Sequence, residues 1–130
     1  MKKQSVLPNW SDKTLLIAED NETNFIVLSA LLKNTQITIY RAHNGAEAIK
    51  TIDNHPDIDV ILMDISMPDM DGIEATHLIK EKFPDKIIIA QTAHNLNIKG
   101  EQMADEGCND YLLKPIRLKV LIETLDKYLS

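Results

Sequence analysis

Five short apolar runs punctuate the chain: Thr14–Ala18, Ile37–Ala42, Val60–Met63, Ile87–Ala90 and Tyr111–Leu113. Each has the length of a strand and is rich in β-branched residues. Their hydrophobicity is nearly continuous rather than alternating, the pattern of strands covered on both faces. Helix-length stretches separate them. Phe25, Leu28 and Leu32 recur at i, i+3 and i+7 with Leu31 beside them, and Ala46, Ile49 and Ile52 mark a second helix after an Asn44–Gly45 turn. A third runs from Ile73 to Phe83, preceded by Gly72 and stopped by Pro84. A fourth segment, Asn95–Glu106, has few apolar residues and Gly100 inside it, and Gly107 stands where a helix C-cap glycine would. Leu118, Leu121, Ile122, Leu125 and Leu129 form the stripe of the last helix. Strands alternating with helices in this way predict an α/β, doubly wound parallel sheet. Residues 1–13 show no periodicity and contain Pro8, Asn9, Ser11 and Asp12. They read as a leader or linker, with Trp10 either exposed or folded back on a domain spanning 14–130.

Composition narrows the class. A chain of 130 residues with 44% hydrophobic and 26% charged residues has room for one soluble globular domain. Aromatics make up only 5%, so the core must be built from Ile, Leu, Val and Ala. Acids outnumber bases 20 to 14, for a formal charge of -6. That balance argues against a surface for nucleic acid or anionic membrane, which needs basic patches. No apolar run approaches the length of a membrane span, and the expected location is the cytoplasm. The one cysteine, Cys108, makes neither an internal disulfide nor a cysteine-based zinc cluster and reads as a small buried residue near a loop.

In a doubly wound sheet, ligands bind outside the carboxyl ends of the strands, at the topological switch point. The informative residues are therefore those that end each apolar run: Glu19 and Asp20, Asp64, Thr92, and Lys114 before Pro115. Taken singly, each has a plain explanation as a helix cap, a strand end or a solvated charge. Together they gather three carboxylates, a hydroxyl and an ammonium at one edge. Clustered carboxylates repel one another and are costly without a cation, and hard oxygen ligands suit Mg²⁺. A carboxylate beside that cation, with a hydroxyl and an ammonium opposite, suits acceptance of a phosphoryl group by Asp64 as nucleophile. Competing phosphate chemistries lack their parts. There is no G-x-x-x-x-G-K-[ST] loop and no G-x-G-x-x-G turn. A haloacid-dehalogenase-like phosphotransferase wants a second Asp two residues after its nucleophile, where this chain has Ser66.

The segments LLIAEDNETN, VILMDISMPDMDG, IIIAQTAH and DYLLKPI, in this order and each ending a strand, resemble the receiver (response-regulator) domain of two-component and phosphorelay systems. The forms EDNETN and MPDMDGIEAT look most like receivers of hybrid histidine kinases, and LPNWSDK resembles the linker that precedes such receivers. The resemblance implies a flavodoxin-like fold with strand order 2-1-3-4-5 and five helices. It makes Asp64 the phospho-acceptor, with Glu19, Asp20, Asp64 and the backbone carbonyl of Ser66 holding Mg²⁺. Thr92 becomes the hydroxyl that bonds the phosphoryl group, Ala93 the small residue beside it, and Lys114 the lysine that pairs with the phosphoryl oxygens. The Lys114–Pro115 peptide would be cis. Tyr111 matches an aromatic switch that follows Thr92; its plainer reading is a half-buried strand aromatic.

The implied activity is transfer from a phosphohistidine onto Asp64 followed by a change of conformation: a signalling phospho-acceptor that catalyses only its own phosphorylation and dephosphorylation. The implied partners are a histidine kinase or a histidine phosphotransfer domain, with self-association through the fourth helical segment, the fifth strand and the last helix; neither nucleic acid nor direct membrane contact is expected. Gln91 is polar where an apolar residue is more usual, and Asn109 stands where an acid is common. Ser66 and His94 occupy positions that tune aspartyl-phosphate lifetime. Asp69 and Asp71 read as serving the turn into the third helix, and His43, His55 and His77 suggest no site. Two rivals remain at this stage. One is a degenerate receiver that only binds partners, against which the complete set of site residues counts. The other is a flavodoxin-like FMN protein, which needs a Ser/Thr/Gly-rich first loop where this chain has the acidic EDNETN.

Overall fold

A computed structural model describes residues 7–65, 72–93 and 106–130. Five strands, β1 (Thr14–Ala18), β2 (Thr38–Ala42), β3 (Val60–Asp64), β4 (Ile87–Ala93) and β5 (Asp110–Lys114), form one sheet. All neighbours run parallel, in the order β2-β1-β3-β4-β5. Among the described residues four α-helices stand with them: α1 (Glu22–Leu32), α2 (Gly45–Asn54), α3 (Gly72–Lys82) and α4 (Leu118–Leu129). The predicted Asn95–Glu106 helix lies outside the described residues.

Strand residues alternate between two cores. Leu16, Ile61, Met63, Ile88 and Ala90 pack with Ala48 and Ile52 of α2 and Ala75 and Ile79 of α3. Leu15, Ile17, Leu62 and Ile89 pack with Leu28 and Leu32 of α1 and Leu121, Leu125 and Leu129 of α4. Continuous apolar runs fit this double coverage: every residue of β3 is buried, as are all but the first of β1. The edge strands differ. β2 is buried only at Ala42 and β5 only at Leu112, because each has a strand on one side alone.

Local signals explain where the helices begin. Asn21 accepts a hydrogen bond from the Asn24 N–H and caps α1, while Asn44 does the same for α2 through the Glu47 N–H. The Asn44–Gly45 pair, expected as a turn before the helix, is instead its N-cap and first residue. α3 stops at Lys82, two residues before Pro84, as expected. Leu118, read as part of the buried stripe of the last helix, is exposed, and the stripe proper is Leu121, Leu125 and Leu129 with Thr124. Gly107 has φ +100°, the left-handed conformation expected of it.

The segment ahead of β1 is folded back. Trp10 is buried in the α1/α4 core, and its backbone N–H donates to the Thr35 carbonyl at 2.7 Å. Cys108 is buried as expected. Burial pushes its thiol above the usual range, which disfavours the reactive thiolate.

Candidate functional site

The chain leaves β1 towards β2 on one side and returns through β3 on the other, so the crevice at the carboxyl ends of β1 and β3 is the switch point. Glu19 and Asp20 follow β1 directly, and Asp64 is the last residue of β3. Register places Ala18 beside Met63, which sets Glu19 level with Asp64. Because Asn21 takes the capping role, the Asp20 carboxylate is not needed for it. One oxygen from each of Glu19, Asp20 and Asp64 lies within 4.8 Å of the others. Glu19 and Asp64 are buried and Asp20 is exposed.

Lys114 ends β5, two strands from Asp64. Neighbouring strands are about 4.8 Å apart, so roughly 10 Å must be spanned, a distance suited to the longest unbranched side chain. Its Nζ donates to Asp64 Oδ2 at 3.1 Å and lies 3.6 Å from Glu19 Oε1. One ammonium thus faces the two buried carboxylates of the cluster. The consequence is clearest at Glu19, whose carboxyl is pushed up to about 7, first by burial and then by the Asp64 charge, with Lys114 opposing. Among the described residues Glu19 Oε1 is buried without a hydrogen-bond donor, while Oε2 accepts from the Asn21 N–H at 3.3 Å. An acceptor buried without a donor, amid three oxygen ligands of net negative charge, is what a hard divalent cation would satisfy. The donor set therefore fits Mg²⁺.

Thr92 is buried near the carboxyl end of β4, one residue beyond Gln91, the register partner of Asp64. Tyr111 lies near the start of β5 and is exposed, more so than the half-buried position of the plainer reading. The Lys114–Pro115 peptide is cis, as expected. Ser66, His94, Asp69 and Asp71 lie outside the described residues. Of the other histidines, His43 pairs with Glu47 at 2.9 Å, His77 with Glu106 at 2.7 Å, and His55 stacks on Tyr40.

Three residues that shape the site were not singled out in the sequence or were read for something else. Gly72 was read only as preceding the third helix. In the fold a Cβ there would stand 2.2 Å from the Asp64 carbonyl oxygen and 2.7 Å from Ile65 Cα, so glycine lets α3 start against the backbone that carries Asp64. Arg41 bonds the Glu19 carbonyl oxygen through Nε at 3.3 Å and a terminal nitrogen at 3.2 Å. Asn109 accepts from the Ile88 N–H and from Lys80 Nζ, both at 2.9 Å, and so ties β4 and α3 to the start of β5. A lone arginine or glycine in a sequence carries no mark of such non-local contacts.

Residues 15–126 match the family model of the response regulator receiver domain. The chain is 35% identical over 130 residues to hybrid signal transduction histidine kinase B of Dictyostelium discoideum, covering 89% of this chain but 7% of that protein. It is also 35% identical over 121 residues to the polar-differentiation response regulator DivK of Brucella ovis, covering 91% of this chain and 97% of that one. Among solved structures it resembles a co-crystal of the Saccharomyces cerevisiae histidine phosphotransfer signaling protein Ypd1 with the receiver domain of its downstream response regulator Ssk1. The TM-score there is 0.83, at 30% identity over 96% of this chain and 92% of that one. With the sheet order, the acidic cluster and the lysine across from it in place, the chain belongs to the response-regulator receiver domains, the phospho-accepting modules of two-component systems.

Proposed function

We propose that Asp64 accepts a phosphoryl group from a phosphohistidine, on a histidine kinase or a histidine phosphotransfer protein, and that the chain answers by changing conformation. The observation that carries this is the meeting of Glu19, Asp20 and Asp64 within 4.8 Å, with Lys114 Nζ 3.1 Å from Asp64. An Asp64 carboxylate oxygen attacks phosphorus. The P–N bond breaks, its electron pair stays with the imidazole, which takes up a proton, and an acyl phosphate remains on Asp64. Lys114 pairs with the phosphoryl oxygens and the Thr92 hydroxyl bonds one of them. Glu19, Asp20 and Asp64, with the Ser66 carbonyl as the family pattern implies, hold Mg²⁺, which when bound supplies neutralising charge for the transferring oxygens. The only catalysis is the domain's own phosphorylation and dephosphorylation.

Likeness to a hybrid histidine kinase and to a receiver crystallised with a histidine phosphotransfer protein supports the choice of donor. Among the described residues no helix is long and apolar enough to cross a membrane, and we place the domain in the cytoplasm, where 14–130 acts as receiver and 1–13 as leader. Thr92 and Tyr111 form the switch in this reading. Exposed Tyr111, Leu113, Leu118 and Val120 on β5 and α4 support self-association through that face.

The test is intact mass after incubation with phosphoramidate, a small donor with the same P–N bond. One phosphoryl group is expected on the wild type with Mg²⁺ and none on Asp64→Asn. Equal labelling of Asp64→Asn, or no effect of chelating Mg²⁺, overturns the reading.

A further inference from the structure

Arg41 sits in β2, on the far side of β1 from Asp64, and is absent from the set of residues assigned above. Its surroundings are specific. The paired stretch of β1 with β2 ends at Ala18 and Ala42, and the Glu19 N–H still donates to the Ala42 carbonyl at 2.9 Å. Beyond that point the chain turns into α2, so β2 offers no further strand residue to the Glu19 carbonyl. Arg41 fills the gap with two N–H groups at 3.3 and 3.2 Å. Its guanidinium carbon lies 4.7 Å from the centroid of the Phe25 ring on α1, a stacking that holds the fork in place.

The Glu19 carbonyl belongs to the peptide plane that carries Asp20, and that plane is rigid. Glu19 is thus fixed at its N–H by Ala42, at its carbonyl by Arg41, and at its carboxylate by the Asn21 N–H. Asp20 is exposed and follows immediately, so a tilt of this plane moves its carboxylate relative to Glu19 and Asp64. We propose that Arg41, seated on Phe25, is the positioning residue for the Glu19–Asp20 acidic pair and thereby sets the affinity of the site for its divalent cation. The inference rests on the reading of the cluster as a Mg²⁺ site. Arg41 touches neither the cation nor the phosphoryl group in it, so its effect falls on cation binding and not on the transfer step.

The experiment is calorimetric titration of the whole chain with MgCl₂, with thermal unfolding recorded for each variant. Arg41→Met keeps an apolar stem for Phe25 but has no donors. Loss of an outer hydrogen-bond partner of a metal site costs roughly 10- to 100-fold in affinity, and an increase in dissociation constant at the lower end of that range is expected. Arg41→Lys, with one donor group and the same charge, is expected between Arg41→Met and the wild type. Phe25→Leu, which leaves Arg41 unseated, also raises the constant by a smaller factor and serves if Arg41→Met unfolds. At saturating Mg²⁺ the labelling rate from phosphoramidate stays near the wild-type value. Unchanged Mg²⁺ affinity in the folded variants overturns the inference, and so does a fall in the saturated rate at constant affinity. A wild type that binds no Mg²⁺ defeats the reading of the cluster itself, and the inference with it.

Discussion

Lys114 and Thr92 stand at the ends of neighbouring strands, yet their chemistry divides them. The ammonium is already on the Asp64 carboxylate at 3.1 Å, with Asp64 buried and Lys114 half-buried. Lys114→Ala is expected to slow labelling of Asp64 and to blunt the response, since the charge added there then loses its ammonium partner. Thr92→Ala is expected to keep measurable labelling and to lose most of the structural change, followed by hydrogen exchange with and without beryllofluoride and Mg²⁺. Equal loss of labelling in the two variants would contradict this division. Gly72 makes a different kind of contribution. Alanine there drives a methyl into the Asp64 and Ile65 backbone, whose nearest atoms cannot rotate away. Overpacking of this sort costs about 1–3 kcal/mol, so Gly72→Ala is expected to lower the denaturant midpoint and to slow labelling by shifting Asp64. An unchanged midpoint would show that the backbone yields. Neither Gly72 nor Arg41 was legible for this role in the sequence, because what each does depends on a residue distant in the chain. Glu19, Asp20, Asp64, Thr92 and Lys114 were legible because each ends an apolar run, and the topology alone carries strand ends to one edge.

Among the elements, the strands were the easiest to read and the helix faces the hardest. β3 and β1 are continuous in hydrophobicity because they are covered twice, whereas β2 and β5 have similar apolar content and remain half-exposed at the edges. Composition does not tell an edge strand from a central one. α1 shows the same ambiguity, since Ile26 and Val27 are as apolar as Leu28 but face outward. The β5–α4 contact shows how an edge strand is held. Burial pushes the Asp110 carboxyl up, but bonds from Lys127 Nζ at 2.9 Å, the Tyr111 N–H and the Tyr128 hydroxyl outweigh it, leaving the carboxyl below the ordinary aspartate value of 3.8. A carboxyl depressed in the fold contributes stability that is present above 3.8 and is lost as pH falls through the lower, folded value. Lys127→Met should therefore move the Asp110 midpoint upward in a side-chain NMR titration. An unmoved midpoint would mean that the lysine, largely in solvent, does little.

At the scale of the whole molecule, the sheet order puts β1 and β3 side by side at the centre, so that their carboxyl ends lie together. The acidic pair follows β1 and Asp64 ends β3, while Lys114 reaches over from the edge strand. This separates the reading from its two rivals. The first loop presents carboxylates where an FMN protein would cradle a phosphate, and the set of groups that a partner-only domain would have no need of is brought together. The fold class and strand order were legible because alternation of runs and helices leaves few topologies. The docking of Trp10 against the α1/α4 core was left open between two alternatives, since a lone aromatic in an aperiodic leader has no pattern to place it.

The central claim is that the phosphoryl group ends on Asp64, and chemical trapping tests it most directly. An acyl phosphate is reduced by borohydride at its carbonyl carbon, which converts the aspartate that carried it to homoserine, whereas phosphate esters and phosphohistidine are left as they are. The wild type, labelled by phosphoramidate with Mg²⁺, reduced and sequenced by tandem mass spectrometry, should carry homoserine at position 64 and aspartate at every other acidic site. Homoserine at position 20, or a phosphoryl group that survives reduction on a histidine or hydroxyl, would contradict the account.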